Sequence, residues 1–269
     1  MLKIRLIHIL VFIALLPFLM GFFRKTFNVA TKKDDLILIS TEREKNIGAA
    51  VAKQVEKQFK DVDDPLIQLR VENIGEKLSV SCERKDLIYR FKVLKAEKED
   101  NYNAFALPGG YVYIFDALVN KLNNDDEIAA ILAHELGHIT AKHSIKRMQS
   151  AMGMNALMLL GAGMQTDGRT FAKMSDALTE LMMSYSREAE IEADVISVRY
   201  IKNAGYNSEA VIEVLKMLKK LRKKGPVRRY MHYRTHPYLS ERLARTRTEI
   251  DGEMSFDSFI NLPKEKEDF

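Results

Sequence analysis

The sequence predicts a mainly α-helical protein with a small antiparallel β-sheet, the α+β class. From Thr41 onwards apolar residues recur mostly at helical spacing, whereas residues 87–96 alternate apolar and polar side chains as a half-buried strand does. Residues 103–115, "NAFALPGGYVYIF", place two short apolar runs around Pro-Gly-Gly and predict a hairpin. The chain has 269 residues, of which 46% are hydrophobic and 29% are charged. It can therefore bury a substantial core, and its charge content excludes a membrane protein with many spans.

The N-terminus predicts a membrane anchor. Two basic residues precede an apolar run at residues 6–23 and two more close it, a length that fits either an anchor or a long signal sequence. Ala30 offers only a poor cleavage site. We therefore expect an uncleaved anchor within residues 1–27 and a charged linker at residues 28–40.

Two helices precede the predicted strand, and the hairpin follows it. Ser40 or Thr41 is a suitable N-cap for the first helix, and Pro65 is favoured in the first turn of the second. Gly109 and Gly110 lack the lysine and helix start that would follow in a phosphate-binding loop, so they are assigned to the hairpin turn.

The chain from Asn124 predicts one long helix that runs past His143 towards Met148. The apolar stretch at residues 151–164 is too short to span a bilayer and is either a mobile lid or a buried helix. Further helices are expected at residues 172–183, 187–203 and 208–223, and from a cap at Ser240 onwards. Residues 251–269 are expected to form a flexible tail.

Two compositional features limit the function classes. The single cysteine, Cys82, excludes an internal disulfide framework and a cysteine-based zinc site. Residues 219–234 are strongly basic but contain no recognised nucleic-acid motif, so nucleic acid is not an expected partner. A solvated helix end is the expected role of this run, and attraction to anionic lipid is the alternative.

Residues 131–143, "ILAHELGHITAKH", hold three of the six histidines. Residues four apart lie on one face of a helix, so His134 and His138 present two imidazoles to the same point. The H-E-x-x-H motif uses this geometry to bind zinc, and it places Glu135 as the general base for a water nucleophile. His143 would lie on the opposite side of a continuous helix, so it is expected to be structural.

A catalytic zinc needs a third protein ligand, and the acidic segment at residues 185–200 can supply it. Glu190 and Asp194 are four apart and share a helix face, so one could bind the metal while the other hydrogen-bonds a ligating imidazole. Periodicity alone does not say which carboxylate has which role.

Four segments in this order, "NAFALPGGYVYIF", "HELGHITAKH", "SREAEIEAD" and "THPYLSER", resemble metallopeptidase family forty-eight. That family includes HtpX-like, CAAX prenyl protease-like and BepA-like enzymes. The resemblance implies a zincin-like metalloprotease domain over residues 41–250. It further implies one zinc per chain, bound by His134, His138 and Glu190.

By the same resemblance, Glu135 would be the catalytic base, and Asp194 and Arg187 would support the site. The implied activity is zinc-dependent endoproteolysis of misfolded or misassembled proteins at a membrane. The alternative is a chaperone or assembly factor with incidental peptidase activity. A prenyl-peptide processing enzyme is disfavoured because the chain lacks several spans. One anchor resembles the extracytoplasmic members, so we expect a periplasmic domain; basic residues at both ends of the anchor leave the cytoplasmic orientation open.

Two further expectations concern substrate and regulation. Tyr111, Val112, Tyr113 and Ile114 are predicted to form an exposed sheet edge beside the cleft, to which an extended peptide could add through its main chain. The segment that resembles "THPYLSER" in BepA-like relatives brings a histidine to the fourth zinc position. His236 is therefore expected to act as a latch that holds the enzyme inactive.

Overall fold

The computed structural model describes residues 25–150, 185–224 and 236–252. Within these ranges the helices are α1 (Thr41–Gln58), α2 (Pro65–Ser79), α3 (Asp116–Lys121), α4 (Asp125–Thr140), α5 (Arg187–Asn203), α6 (Glu209–Lys224) and α7 (Leu239–Asp251). The strands are β1 (Thr26–Asn28), β2 (Lys33–Asp35), β3 (Arg90–Leu94), β4 (Ala104–Leu107) and β5 (Tyr111–Phe115). Residues 143–150 are also helical. The mainly α-helical class with small sheets is therefore confirmed.

Several expectations fall on residues that the structure does not describe. They are most of the anchor, the apolar stretch 151–164, the helix at residues 172–183, the basic residues beyond Lys224 and nearly all of the tail. Of the helices that are described, none is both long and apolar enough to cross a membrane.

Helix starts follow the local sequence signals in most places. The side chains of Ser40, Asp64 and Asn124 each accept a hydrogen bond from a backbone N–H in the first turn of α1, α2 and α4, respectively. The exception is α7, where Tyr238 occupies the N-cap position with a φ of 62° and Ser240 lies inside the helix. The predicted cap at Ser240 is wrong because this residue is buried and its hydroxyl accepts a bond from Lys219.

The central sheet has the strand order β3–β5–β4. The predicted hairpin is confirmed, because β4 and β5 pair antiparallel around Gly109 and Gly110, which have positive φ values of 79° and 99°. β3 pairs with β5 in parallel, so this sheet is mixed.

The predicted substrate edge at Tyr111, Val112, Tyr113 and Ile114 is wrong. These residues belong to β5, which is the middle strand and is hydrogen-bonded to β3 on one side and β4 on the other. No main-chain groups remain on β5 for an added peptide strand.

The N-terminal segment that was expected to be a linker contains the antiparallel hairpin β1–β2. Ala30, in its turn, is 4% exposed and belongs to the main hydrophobic core. The Asn28 side-chain amide donates to the Thr140 carbonyl at 3.3 Å. Residues 26–35 are therefore packed onto the helical core and do not merely connect to it.

Helices α4 and α5 approach each other closely at Gly137, within the H-E-x-x-H segment. A Cβ atom at this position would lie 2.8 Å from the Ala193 carbonyl oxygen and 3.1 Å from the Ala193 Cα. Both atoms are backbone, so no side-chain rotation could relieve the contact.

We expect Gly137→Ala to destabilise the fold by roughly 1–3 kcal/mol, because α4 and α5 must move apart. Urea unfolding of the protein measures this loss. An unchanged unfolding midpoint would contradict the close approach of α4 and α5.

Candidate metal centre

Helix α4 brings the three motif residues into the interior. His134, Glu135 and His138 are 3%, 0% and 0% exposed, respectively. The helix ends at Thr140, so the predicted continuation towards Met148 is wrong. The helix is interrupted at Lys142, because its φ of 58° lies in the left-handed region and cannot continue an α-helix.

Four side chains converge on one point. His134, His138, Glu190 and His236 each offer a donor atom, and these atoms all lie within 4.8 Å of one another. The two Nε2 atoms of His134 and His138 are 3.1 Å apart. The Glu190 carboxylate lies 3.4 Å from the first of them and 3.5 Å from the second. His236 Nδ1 lies 3.2 Å from His134 Nε2 and 3.0 Å from Glu190 Oε1.

This donor set fits zinc. Tetrahedral zinc with bonds of about 2.0–2.1 Å separates its ligand atoms by about 3.4 Å, which matches the observed spacing. Nitrogen lone pairs and a carboxylate would repel one another at such distances unless a cation or protons lay between them. The elements α4, α5 and the residues before α7 thus supply three imidazoles and one carboxylate, a set that zinc prefers.

The structure separates the positions of the two carboxylates on α5. Glu190 lies among the donor atoms, whereas Asp194 Oδ1 lies 2.8 Å from His134 Nδ1, on the far side of that ring. A proton on Nδ1 leaves Nε2 free to face the metal point. Burial would raise the pKa of Asp194, but Arg242 and His134 lower it to about 2, so the carboxylate stays ionised.

Arg242 is a buried residue of this site that the sequence analysis missed. It is 2% exposed, and its guanidinium binds Asp194 through Nε at 2.7 Å and Nη2 at 2.8 Å. It also lies 2.8 Å from Glu190 Oε2 and donates to the His236 carbonyl at 3.1 Å. Its charge helps to hold the pKa of Glu190 well below the usual range, against the effect of burial.

The predicted supporting role of Arg187 does not agree with its position. Its side chain is 52% exposed and pairs with Glu188 at 3.0 Å and Glu241 at 3.7 Å. The residue is the first of α5, where the helix meets solvent, and its guanidinium contacts neither Glu190 nor Asp194 in the described structure. The arginine that contacts both of these carboxylates is Arg242.

The predicted orientation of His143 is also wrong. Because α4 is interrupted at Lys142, His143 turns back, and its Nδ1 lies 2.8 Å from His138 Nδ1. It remains outside the four-residue donor cluster.

Comparison with known proteins supports this assignment. The model of Peptidase family M48 matches residues 65–250. The chain is 25% identical over 223 residues to the beta-barrel assembly-enhancing protease of Escherichia coli K12, covering 79% of this chain and 45% of that protein. It is 26% identical over 178 residues to the mitochondrial metalloendopeptidase OMA1 of Schizosaccharomyces pombe, covering 64% and 51%. With the Saccharomyces cerevisiae OMA1 it shares 33% identity over 146 residues, covering 52% and 41%.

The chain thus spans about half, or less, of the length of these relatives. The family match itself covers most of this chain and includes α4, α5 and α7, which carry the site. The protein therefore belongs to Peptidase family M48.

Proposed function

We propose that this protein is a zinc-dependent endopeptidase that degrades or processes misfolded or misassembled proteins at a membrane. The observation that carries the proposal is the fully buried Glu135, which follows the donor residue His134 on α4 and whose Oε1 lies 3.5 Å from Nε2 of His236, another member of the donor cluster. The relatives named beta-barrel assembly-enhancing protease and mitochondrial metalloendopeptidase support a role in membrane-associated proteolysis.

The catalytic roles follow from position. His134, His138 and Glu190 would hold the zinc, which supplies Lewis-acid polarisation of the scissile carbonyl and of water when it is bound. Glu135 is not among the donors and adjoins the first of them. Its carboxylate would take the proton of the attacking water and return it to the leaving amine.

The competing function is a chaperone or assembly factor whose peptidase activity is incidental. The two functions differ in whether Glu135 is needed. We expect Glu135→Gln, expressed at wild-type levels, to fail to restore protein turnover in cells that lack the protein. The variant should also retain intact clients, which can be identified by mass spectrometry from solubilised membranes. Full restoration of turnover by Glu135→Gln would favour the chaperone.

The proposed location is a membrane, with the N-terminal segment as anchor and the domain on the extracytoplasmic side. Support comes from the apolar run at residues 6–23 and from the folded hairpin that begins at Thr26. Protease digestion of intact and permeabilised cells tests the orientation. If the outer envelope is opened and the cytoplasmic membrane stays closed, protection of the domain from the added protease would contradict the extracytoplasmic orientation.

We further propose that His236 latches the enzyme. This residue is 0% exposed and belongs to the donor cluster, and its Nδ1 lies 3.2 Å from His134 Nε2 and 3.0 Å from Glu190 Oε1. A catalytic zinc requires an open position for water and substrate, so a fourth protein ligand keeps it inactive. The His236 side chain would have to leave the cluster before hydrolysis could begin.

We expect His236→Ala to raise the hydrolysis of fluorescent casein by about tenfold or more, if the latched state holds about 90% of the molecules. Zinc content should stay near one per chain because three ligands remain. Glu241→Gln is the control, because it changes the next helix at a partly exposed position. Equal or lower casein hydrolysis by the zinc-loaded His236→Ala protein would show that His236 is not a latch.

A further inference from the structure

The two histidines of the motif have different partners at Nδ1, the ring nitrogen that points away from the donor cluster. His134 Nδ1 meets the Asp194 carboxylate directly at 2.8 Å. His138 Nδ1 meets another imidazole, that of His143, at 2.8 Å. His143 is 5% exposed, so water does not compete freely for this contact.

The direction of the hydrogen bonds in this pair follows from the cluster. His138 Nε2 faces the donor atoms and needs its lone pair there, so the ring proton lies on Nδ1. This N–H donates to His143 Nδ1, which places the proton of the second ring on its Nε2. That Nε2 lies 3.1 Å from Glu192 Oε2, which accepts it.

The far end of this chain is also fixed. Glu192 Oε1 accepts a bond from Lys33 Nζ at 2.6 Å, and Lys33 lies on β2 of the N-terminal hairpin. Glu192 therefore joins His143 to the N-terminal hairpin through two direct contacts.

A second contact fixes the plane of the same ring. Tyr185 stacks on His138 with ring centroids 3.8 Å apart and planes 14° from parallel. Its hydroxyl is hydrogen-bonded to Ser144 Oγ at 2.8 Å. His143 and Ser144 directly follow the helix interruption at Lys142. This interruption places His143 at the edge of the His138 ring, and it places Ser144 where it can hold Tyr185 against the face of that ring.

We propose that His143 is a positioning residue that fixes the tautomer and orientation of His138, and that Glu192 anchors His143. The proposal rests on the proposed function in one respect, the assignment of His138 as a zinc ligand. An uninterrupted helix would point His143 away from His138, so the left-handed Lys142 is part of the device.

The test measures the zinc dissociation constant of the full chain by competition with a chromophoric chelator, together with kcat and KM on a casein-derived peptide. We expect His143→Ala to weaken zinc binding by about 10- to 100-fold, the usual cost of losing such a partner. His143→Asn should recover most of the affinity, because its Oδ1 can accept the His138 proton from the position of Nδ1. A merely structural role would not give this rescue.

Gln149→Ala is the matched control. Gln149 ties the same helical segment to Leu36 and Leu38, but it has no contact with His138 in the described structure. Its zinc affinity should match the wild type. Unchanged affinity in His143→Ala, no recovery in His143→Asn, or an equal loss in Gln149→Ala would each overturn the proposal.

Two additional variants keep the result interpretable. If His143→Ala does not fold, Glu192→Ala leaves both rings in place and removes only the anchor; we expect an affinity loss of about three- to tenfold, and no loss would overturn the proposal. His138→Ala separates this inference from the function. Full zinc retention by His138→Ala would refute the assignment of His138 as a ligand. Zinc loss by His138→Ala, together with wild-type zinc affinity in His143→Ala, would refute only the positioning role.

Discussion

Replacing Glu135 with Gln is expected to lower peptidase activity by about 100- to 10,000-fold while zinc stays bound. The amide has the shape of the carboxylate but cannot take a proton from water. Glu135 is 0% exposed and is not one of the four donors, so the metal set is unaffected. Casein hydrolysis and zinc per chain, measured on the same preparation, test the loss of activity and the retention of zinc.

The variant should be made in the His236→Ala background, because a latched parent would have little activity to lose. Glu188→Gln in that background is the control, since Glu188 is 72% exposed and contacts Arg187. If the Glu135→Gln protein retained more than about a tenth of the parental rate, Glu135 would not be the base.

Replacing Glu190 with Ala is expected to remove both zinc and activity. The Glu190 carboxylate lies within 3.5 Å of both ligand Nε2 atoms and supplies the negative charge that imidazoles lack. Without it two motif histidines and His236 remain, a set without a negative charge beside the guanidinium of Arg242. Repulsion between that guanidinium and a dication then opposes metal binding. Elemental analysis after gel filtration measures the loss.

The structural cost of this change must be separated from the loss of a ligand. Removing a partner from a buried ion pair costs about 3–5 kcal/mol, although Arg242 keeps its two bonds to Asp194. Glu190→Gln retains the side-chain volume and tests the charge alone, and Glu188→Ala is the exposed control on the same helix. Full zinc occupancy in a folded Glu190→Ala protein would refute its assignment as the third ligand.

The parts of the site that could be predicted are those set by spacing along one helix. The four-residue spacing placed His134 with His138, and Glu190 with Asp194, and the structure brings these pairs together. His143 could not be placed, because its position depends on a left-handed residue at Lys142, where no Gly or Pro marks a break.

The burial of Arg242 and the strand order of the sheet could not be predicted from local sequence patterns, because both depend on contacts between distant parts of the chain. An arginine in a polar helix is usually solvated, and only the packing of α7 against α5 shows that this one is buried. The hairpin β4–β5 was predictable from its turn, but the parallel pairing of β3 with β5 bypasses the nearest strand in sequence. That non-local pairing is what turned the expected edge strand into the central one.

The proposed latch would also control how the metal is exchanged. His138, Glu190 and His236 are all 0% exposed, so an ion held among them would be shielded from solvent by these side chains while His236 is in place. Release to a chelator would then require the same opening as catalysis, and its rate would follow the frequency of that opening and not the strength of the metal bonds alone. Latched molecules would keep the metal that they captured before closing, while active molecules would exchange theirs. Isotopic zinc exchange would thus count the open fraction of the enzyme in the absence of any substrate.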